Sequence, residues 1–134
     1  MKKKYIYRPA RVVVTDYGDG RAHMVYKQAG KTLEDVIEQA HWVSMIVHKI
    51  ADDHPGVPMR FLVDTRRISH VPIDYRVRRI YVDLIESAPI DKNATVVDDI
   101  GYARMAVIRL LAFSKREHVR FFYLVEEAKI WLDW

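Results

Sequence analysis

The sequence contains no cysteine, which removes disulfides, thiolate nucleophiles and cysteine-ligated metal sites together. The redox compartment therefore leaves no mark on it. Glycine and proline are scarce, five of each in 134 residues, which argues for a regular fold and against a disordered chain. Nowhere do about 18 apolar residues run consecutively, so no membrane span is expected. The opening MKKKYIYRPA starts like a signal peptide, but Arg8, Pro9 and Arg11 interrupt any apolar stretch behind it. A cytoplasmic protein is the expectation. Chemical signatures are missing as well: no G-x-S-x-G elbow, no glycine-rich phosphate loop, no dinucleotide fingerprint and no H-E-x-x-H. No cofactor and no enzymatic activity are expected.

What is present is the material of one domain. Half of the residues are apolar, enough for a core without staples or a metal. The formal net charge is +4 and unevenly spread. Through Lys31 there are eight Lys and Arg against two acids, whereas residues 32–58 hold five acids against Lys49 alone. A basic end of this kind is read first as a solvated tail, and second as a surface for nucleic acid or an anionic membrane. The densest basic cluster is Arg66, Arg67, Arg76, Arg78 and Arg79. It lacks the interleaved aromatic platform of an RNA-binding sheet and no helix-turn-helix accompanies it, so nucleic acid is not the expected partner. His41, His48 and Asp52 lie one and two helical turns apart, but a zinc site needs a further ligand from elsewhere, and surface histidines are the simpler reading.

Periodicity gives the element order. ARVVVTDYGDGRAHMVYKQ reads as an antiparallel hairpin turning at Gly18 and Gly20, with Tyr5 to Tyr7 either extending its first strand or forming a short separate one. Leu33, Val36, Ile37, Ala40, Val43, Val47 and Ile50 then recur at helical spacing, with Thr32 and Asp35 as a capping pair and Pro55-Gly56 as the stop. MRFLVD is a short buried strand. Pro72 opens a second helix with Ile73, Val77, Ile80 and Leu84 on one face, and Pro89 lies just past its end. NATVV is a strand, and Asp98 or Asp99 caps a third helix with Ala103, Val107, Leu110 and Leu111 inward. HVRFFYL is the last strand, and VEEAKIWLDW closes the chain as a helix with Ala128, Trp131 and Leu132 inward. Strands alternating with helices predict an α/β fold: a five-stranded mixed sheet, an antiparallel hairpin followed by mostly parallel strands, with about four helices.

Two stretches resemble a known family. FLVDTRRISHVPIDYRVRRIYVDL is similar to the central strand, loop and helix of STAS domains, the fold of bacterial anti-sigma-factor antagonists. VRFFYLVEEAKIWL resembles the ending of the SpoIIAA-like branch, in which a strand precedes an acidic turn and an A-x-x-W-L helix. The resemblance implies a non-enzymatic regulatory or sensing domain that acts through protein contacts at the loop after the central strand. In the antagonists a serine at the start of the next helix is phosphorylated, and the added charge releases the partner. Aligning Asp64 with the family's strand-ending aspartate puts that position near Asp74, where PIDY replaces the usual Asp-Ser-Ser-Gly. Asp74 would then stand as a fixed negative charge at a helix start. The branch is also similar in fold to CRAL-TRIO carriers, which implies a second role: binding a small apolar or lipid-like ligand between helices and sheet.

Ligands of open parallel sheets gather at the carboxyl ends of the strands. Thr65, Arg66, Arg67, Ser69, His70, Asp74 and Tyr75 follow one such end, and Asp98, Asp99 and Tyr102 follow the next. These ten residues are the candidate binding site, for an unidentified regulatory protein or for a small apolar ligand; a homodimer is left open. The plainer alternative is that Ser69 and Asp98 only cap helices. An enzyme built on Asp64, His70 and Asp74 is a third reading, and it requires those side chains to converge. A carrier should hold a closed apolar pocket of a few hundred cubic ångströms, whereas a regulator should show an exposed patch.

Overall fold

The structure, a computed structural model, describes residues 2–7, 11–70 and 74–134. Ten main elements follow in order: β1 (Lys3–Tyr7), β2 (Val12–Asp16), β3 (Arg21–Tyr26), α1 (Leu33–Asp53), β4 (Met59–Asp64), α2 (Tyr75–Ser87), β5 (Ile90–Val96), α3 (Asp99–Leu111), β6 (Val119–Phe122) and α4 (Val125–Leu132). Short 3-10 turns at Arg66–Ile68 and Phe113–His118 complete the chain. The sheet therefore has six strands where the sequence pattern predicts five. The extra one is β1, which pairs antiparallel with β2 from Lys3 opposite Asp16 to Tyr7 opposite Val12.

Spatial order equals sequence order, β1-β2-β3-β4-β5-β6. The β2–β3 hairpin is antiparallel, and the next three pairings are parallel. Gly18 and Gly20 hold the hairpin turn at φ values of 83° and 96°, which side chains with a Cβ rarely adopt. Gly20 has a second reason to be glycine, since a Cβ there would lie 2.7 Å from the Pro58 carbonyl oxygen.

Parallel crossovers are almost always right-handed, so three successive crossovers to the next strand lay α1, α2 and α3 on one face of the sheet. The alternation of burial agrees. Met24, Tyr26, Met59 and Phe61 pack with Val43, Ile46, Val47 and Ile50 of α1 and Leu84 of α2. On the other face Leu62, Ala94 and Val96 pack with Ala128 and Leu132 of α4, as the closing-helix pattern predicts. Among the described residues no helix is long and apolar enough to cross a membrane.

The first two helices begin with side-chain caps. Thr32 Oγ1 accepts the Asp35 amide hydrogen at 3.2 Å to open α1. Asp74 Oδ1 accepts that of Arg76 at 2.8 Å to open α2. Pro72 and Ile73, expected in the first turn of α2, lie outside the described residues. The third helix departs from expectation. Its buried positions are Gly101 and Ile108, while Ala103, Val107, Leu110 and Leu111, all expected inward, are exposed. The helix is apolar on two sides, so periodicity alone could not choose the inner one.

The α4 layer gives a direct check. Leu132 is fully buried whereas Ile130, two residues earlier, is 75% exposed. Leu132→Ala should lower the unfolding free energy by about 2–5 kcal/mol, and Ile130→Ala should change it by about 0.5 kcal/mol or less, both read from urea denaturation.

Candidate binding site

The ten candidate residues do not form one rim, because the strand end and the loop distribute them over both faces of the sheet. Asp64 continues the β4 side that faces α4, and its carboxylate is closed by Arg66: Nε to Oδ1 at 3.0 Å, Nη2 to Oδ2 at 2.7 Å and the Arg66 amide to Oδ1 at 3.1 Å. With Val25, Lys27 and Arg67 this pair lines a shallow hollow on that side. Burial alone would raise the Asp64 carboxyl, but the Arg66 hydrogen bonds and the nearby charges of Arg66 and His23 outweigh it and hold the group below its ordinary value. His23, on the adjacent strand, is lowered chiefly by burial, against the opposing pull of Asp64.

Thr65 and Ser69 turn the other way, under the helices, and both are buried. The Thr65 amide and hydroxyl each donate to the Val96 carbonyl at 3.0 Å, which ties the carboxyl ends of β4 and β5 together. Ser69 donates its hydroxyl to Asp98 Oδ2 at 2.7 Å, and Asp98 Oδ1 accepts the Gly101 amide hydrogen at 2.7 Å. One aspartate thus caps α3 and fastens it to the loop after β4. The Ser69 and Gly101 bonds hold the Asp98 carboxyl below its ordinary value, with the His70 charge acting in the same sense. Gly101 permits the contact, since a Cβ there would come within 3.2 Å of Asp98 Oδ1 and 3.5 Å of Ser69 Cβ.

The remaining candidates stand apart. Asp74 caps α2 and pairs with Arg76 at 3.2 Å, which places its negative charge at the helix start. Tyr75 is 70% exposed, and Arg67 and His70 are exposed. Tyr102 packs edge-on to Phe121 and stacks with Tyr123, with centroids at 5.4 and 6.4 Å. Tyr123 is raised chiefly by burial and by the charge of Asp99, which places that carboxylate at the same aromatic group. Asp64 and Asp74 are each closed into a separate arginine pair, which is not the converging arrangement an acid-base site on Asp64, His70 and Asp74 needs. Among the described residues no group of three or more His, Asp or Glu side chains is placed to hold a metal ion.

Thr65, Ser69 and Gly101 share a further property: they line a partly open apolar cavity of about 110 Å³ between the helices and the sheet. Its floor runs across four strands, from Met24 and Tyr26 on β3, through Phe61 and Val63 on β4 and Asn93 and Thr95 on β5, to Val119 and Phe121 on β6. Three strand spacings make that about 14 Å. Its roof is Val36, Gln39, Val43 and Val47 of α1, Val77, Tyr81, Leu84 and Ile85 of α2, and Met105 and Ile108 of α3. The cavity is smaller than the few hundred cubic ångströms expected of a carrier, and its length makes it narrow.

Polar groups in it are few. Tyr26 and Tyr81 bond hydroxyl to hydroxyl at 2.9 Å. Burial raises both phenols, Tyr26 well above its ordinary value and Tyr81 to about 12, so both stay protonated at neutral pH. Thr95 donates to Asn93 Oδ1 at 2.9 Å. Gln39 is only 4% exposed, and its Oε1 is buried with no hydrogen-bond partner among the described residues.

In the sequence Tyr81 reads as flanking the apolar stripe of α2, whereas Tyr26, Gln39, Asn93 and Thr95 are not among the candidate residues. The usable signal was Gln39, a polar residue between Val36 and Val43 at the i+3 position of an otherwise apolar face. Tyr26 continues the Ala22, Met24 alternation and offered only the appearance of core.

With fold and cavity described, comparison adds no family: no family model, curated protein or solved structure matches the chain.

The strand-end cluster sets a pH dependence. A histidine whose folded pKa is lowered loses stability as pH falls below the free value of 6.5, because the unfolded chain takes up the proton first. A carboxyl held low keeps its contribution until pH falls below about 3.8 and toward its folded value. The urea midpoint should decline on acidification from about pH 6.5, with a second decline below about pH 4. His23→Gln should remove this residue's part of the first decline and leave that of Asp64.

Proposed function

We propose that this chain is a non-catalytic, STAS-like binding module that senses or carries a small, slender apolar ligand. The observation that carries the reading is the apolar cavity between helices and sheet. Apolar enclosure with a few fixed polar groups is the common form of a small-molecule site. Its walls also reach the loop expected to act. Thr65 and Ser69 line it, and Ser69 holds the cap of α3. A ligand beneath α2 and α3 therefore touches the segment a regulatory partner would read. In that loop Thr65, Arg66, Ser69 and Asp74 are bonded to Val96, Asp64, Asp98 and Arg76, while Arg67, His70 and Tyr75 are exposed; the apolar cavity is the better-supported site for a small molecule.

The test uses native mass spectrometry on protein purified from its own source, with gentle and denaturing conditions compared. A small-molecule mass lost on denaturation is expected. Val77, fully buried in the roof, is the position to fill. Val77→Phe should cost about 1–3 kcal/mol of stability through overpacking and abolish the bound mass while the chain stays folded. A bound mass that survives this substitution would place the ligand elsewhere.

A second reading, regulation through protein contact, is favoured by the outer side of α3. Ile100, Val107 and Leu110 are exposed there, and Ala103 joins them in a 3-4-3 spacing that is symmetric about position 105. An antiparallel second copy would set Ile100 against Leu110 and Ala103 against Val107, in the manner of a two-fold interface. It would also bring Asp99 in the first turn near the basic segment containing Lys115 and Arg116. Sedimentation equilibrium should then show a dimer that Leu110→Asp converts to monomer; a wild-type monomer at high micromolar concentration contradicts this reading.

A further inference from the structure

The cavity carries a chemical instruction that its apolar walls do not. Gln39 projects from α1 into a stripe of valines, lines the cavity, and leaves its amide oxygen buried without a donor. Such an acceptor is costly while unmatched, because it has left water and gained nothing in return. The Tyr26–Tyr81 pair on the same walls is bonded hydroxyl to hydroxyl, so among the described residues Gln39 Oε1 is the cavity's unmatched group, and what it lacks is a donor.

We infer that the ligand is a neutral, slender apolar molecule with one hydroxyl-class group, whose O–H is received by Gln39 Oε1. This rests on the reading of the cavity as a small-molecule site and adds the class of molecule. A hydroxyl supplies that donor while staying uncharged. An ether or a plain hydrocarbon supplies no donor. An ionised carboxylate supplies none either, and would bring its charge into apolar surroundings. Arg104 and Arg109 also line the cavity; Arg104 is already engaged, and Arg109 Nε donates to the carbonyls of Arg116 and Val119, at 3.0 and 2.9 Å, so octanoate tests whether either draws a carboxylate.

The test is calorimetric titration of the full chain with 1-octanol, 1-methoxyheptane and octanoate, in wild type, Gln39→Leu and Gln39→Met. The methionine variant keeps the length and volume of the side chain, so the test survives if the leucine variant folds poorly. Octanol should bind wild type about tenfold more tightly than the ether, and both variants should bring that ratio to within about twofold while retaining affinity for the ether. Equal affinities for octanol and ether, tightest binding by octanoate, or an octanol preference untouched by the variants would overturn the inference. The last result would mean that the amide faces a trapped water. All three leave the cavity reading standing. Binding of none of the three probes, or binding unaltered by Val77→Phe, would instead remove the cavity reading and the inference with it.

Discussion

Everything distinctive in this molecule follows from strands laid down in the order they are made. With β3 to β6 parallel and adjacent, right-handed crossovers have no choice of side, and three helices must share one face. α1, at 21 residues, is long enough to bury its stripe against β1 to β4. The two later helices have 13 residues each, and α3 lies beside α2 and against the turn that follows it. The narrow space left beneath α1, α2 and α3 is the cavity. On the opposite face α4 covers β4 to β6 with a small, well-filled cluster.

The same constraint explains why the strand-end residues part company. Alternation along β4 sends Asp64 to the α4 side with Arg66, and the turn after it sends Thr65 and Ser69 beneath the helices. Polar residues that look like one surface in the sequence are a salt-bridged edge on one side and a structural tie on the other. Asp98 is the joint. By receiving Ser69 and the Gly101 amide together, it makes the start of α3 dependent on the loop after β4. A ligand that moved either partner would be felt by the other.

Much of the fold was legible because local signals agreed with tertiary demands. The hairpin needed its two positive-φ glycines, α1 needed Thr32, and α4 needed Ala128 and Leu132 on one side. The sixth strand was half legible, since Tyr5 to Tyr7 carried β character but too few residues to prove separate pairing. The inner face of α3 was not legible. Its apolar residues surround the helix, and only packing against Ser69 and Val97 identifies Gly101 as the inward position. The site was least legible of all, because a cavity is a space between distant segments: Gln39, Tyr26, Tyr81 and Thr95 belong to four elements, and only Gln39, polar on an apolar face, stands out in isolation. Of the loop after β4, Thr65, Ile68 and Ser69 line that space.

In the proposed function an apolar molecule enters between helices and sheet on the three-helix face. Methyl-resolved NMR of an Ile, Leu and Val labelled sample, titrated with 1-octanol, would detect that entry. Saturable shifts are expected at Val43, Val47, Val77, Leu84 and Ile108, with Leu62 and Leu132 across the sheet unmoved. Shifts confined to the outer residues of α3, or no saturable shift at all, would contradict it.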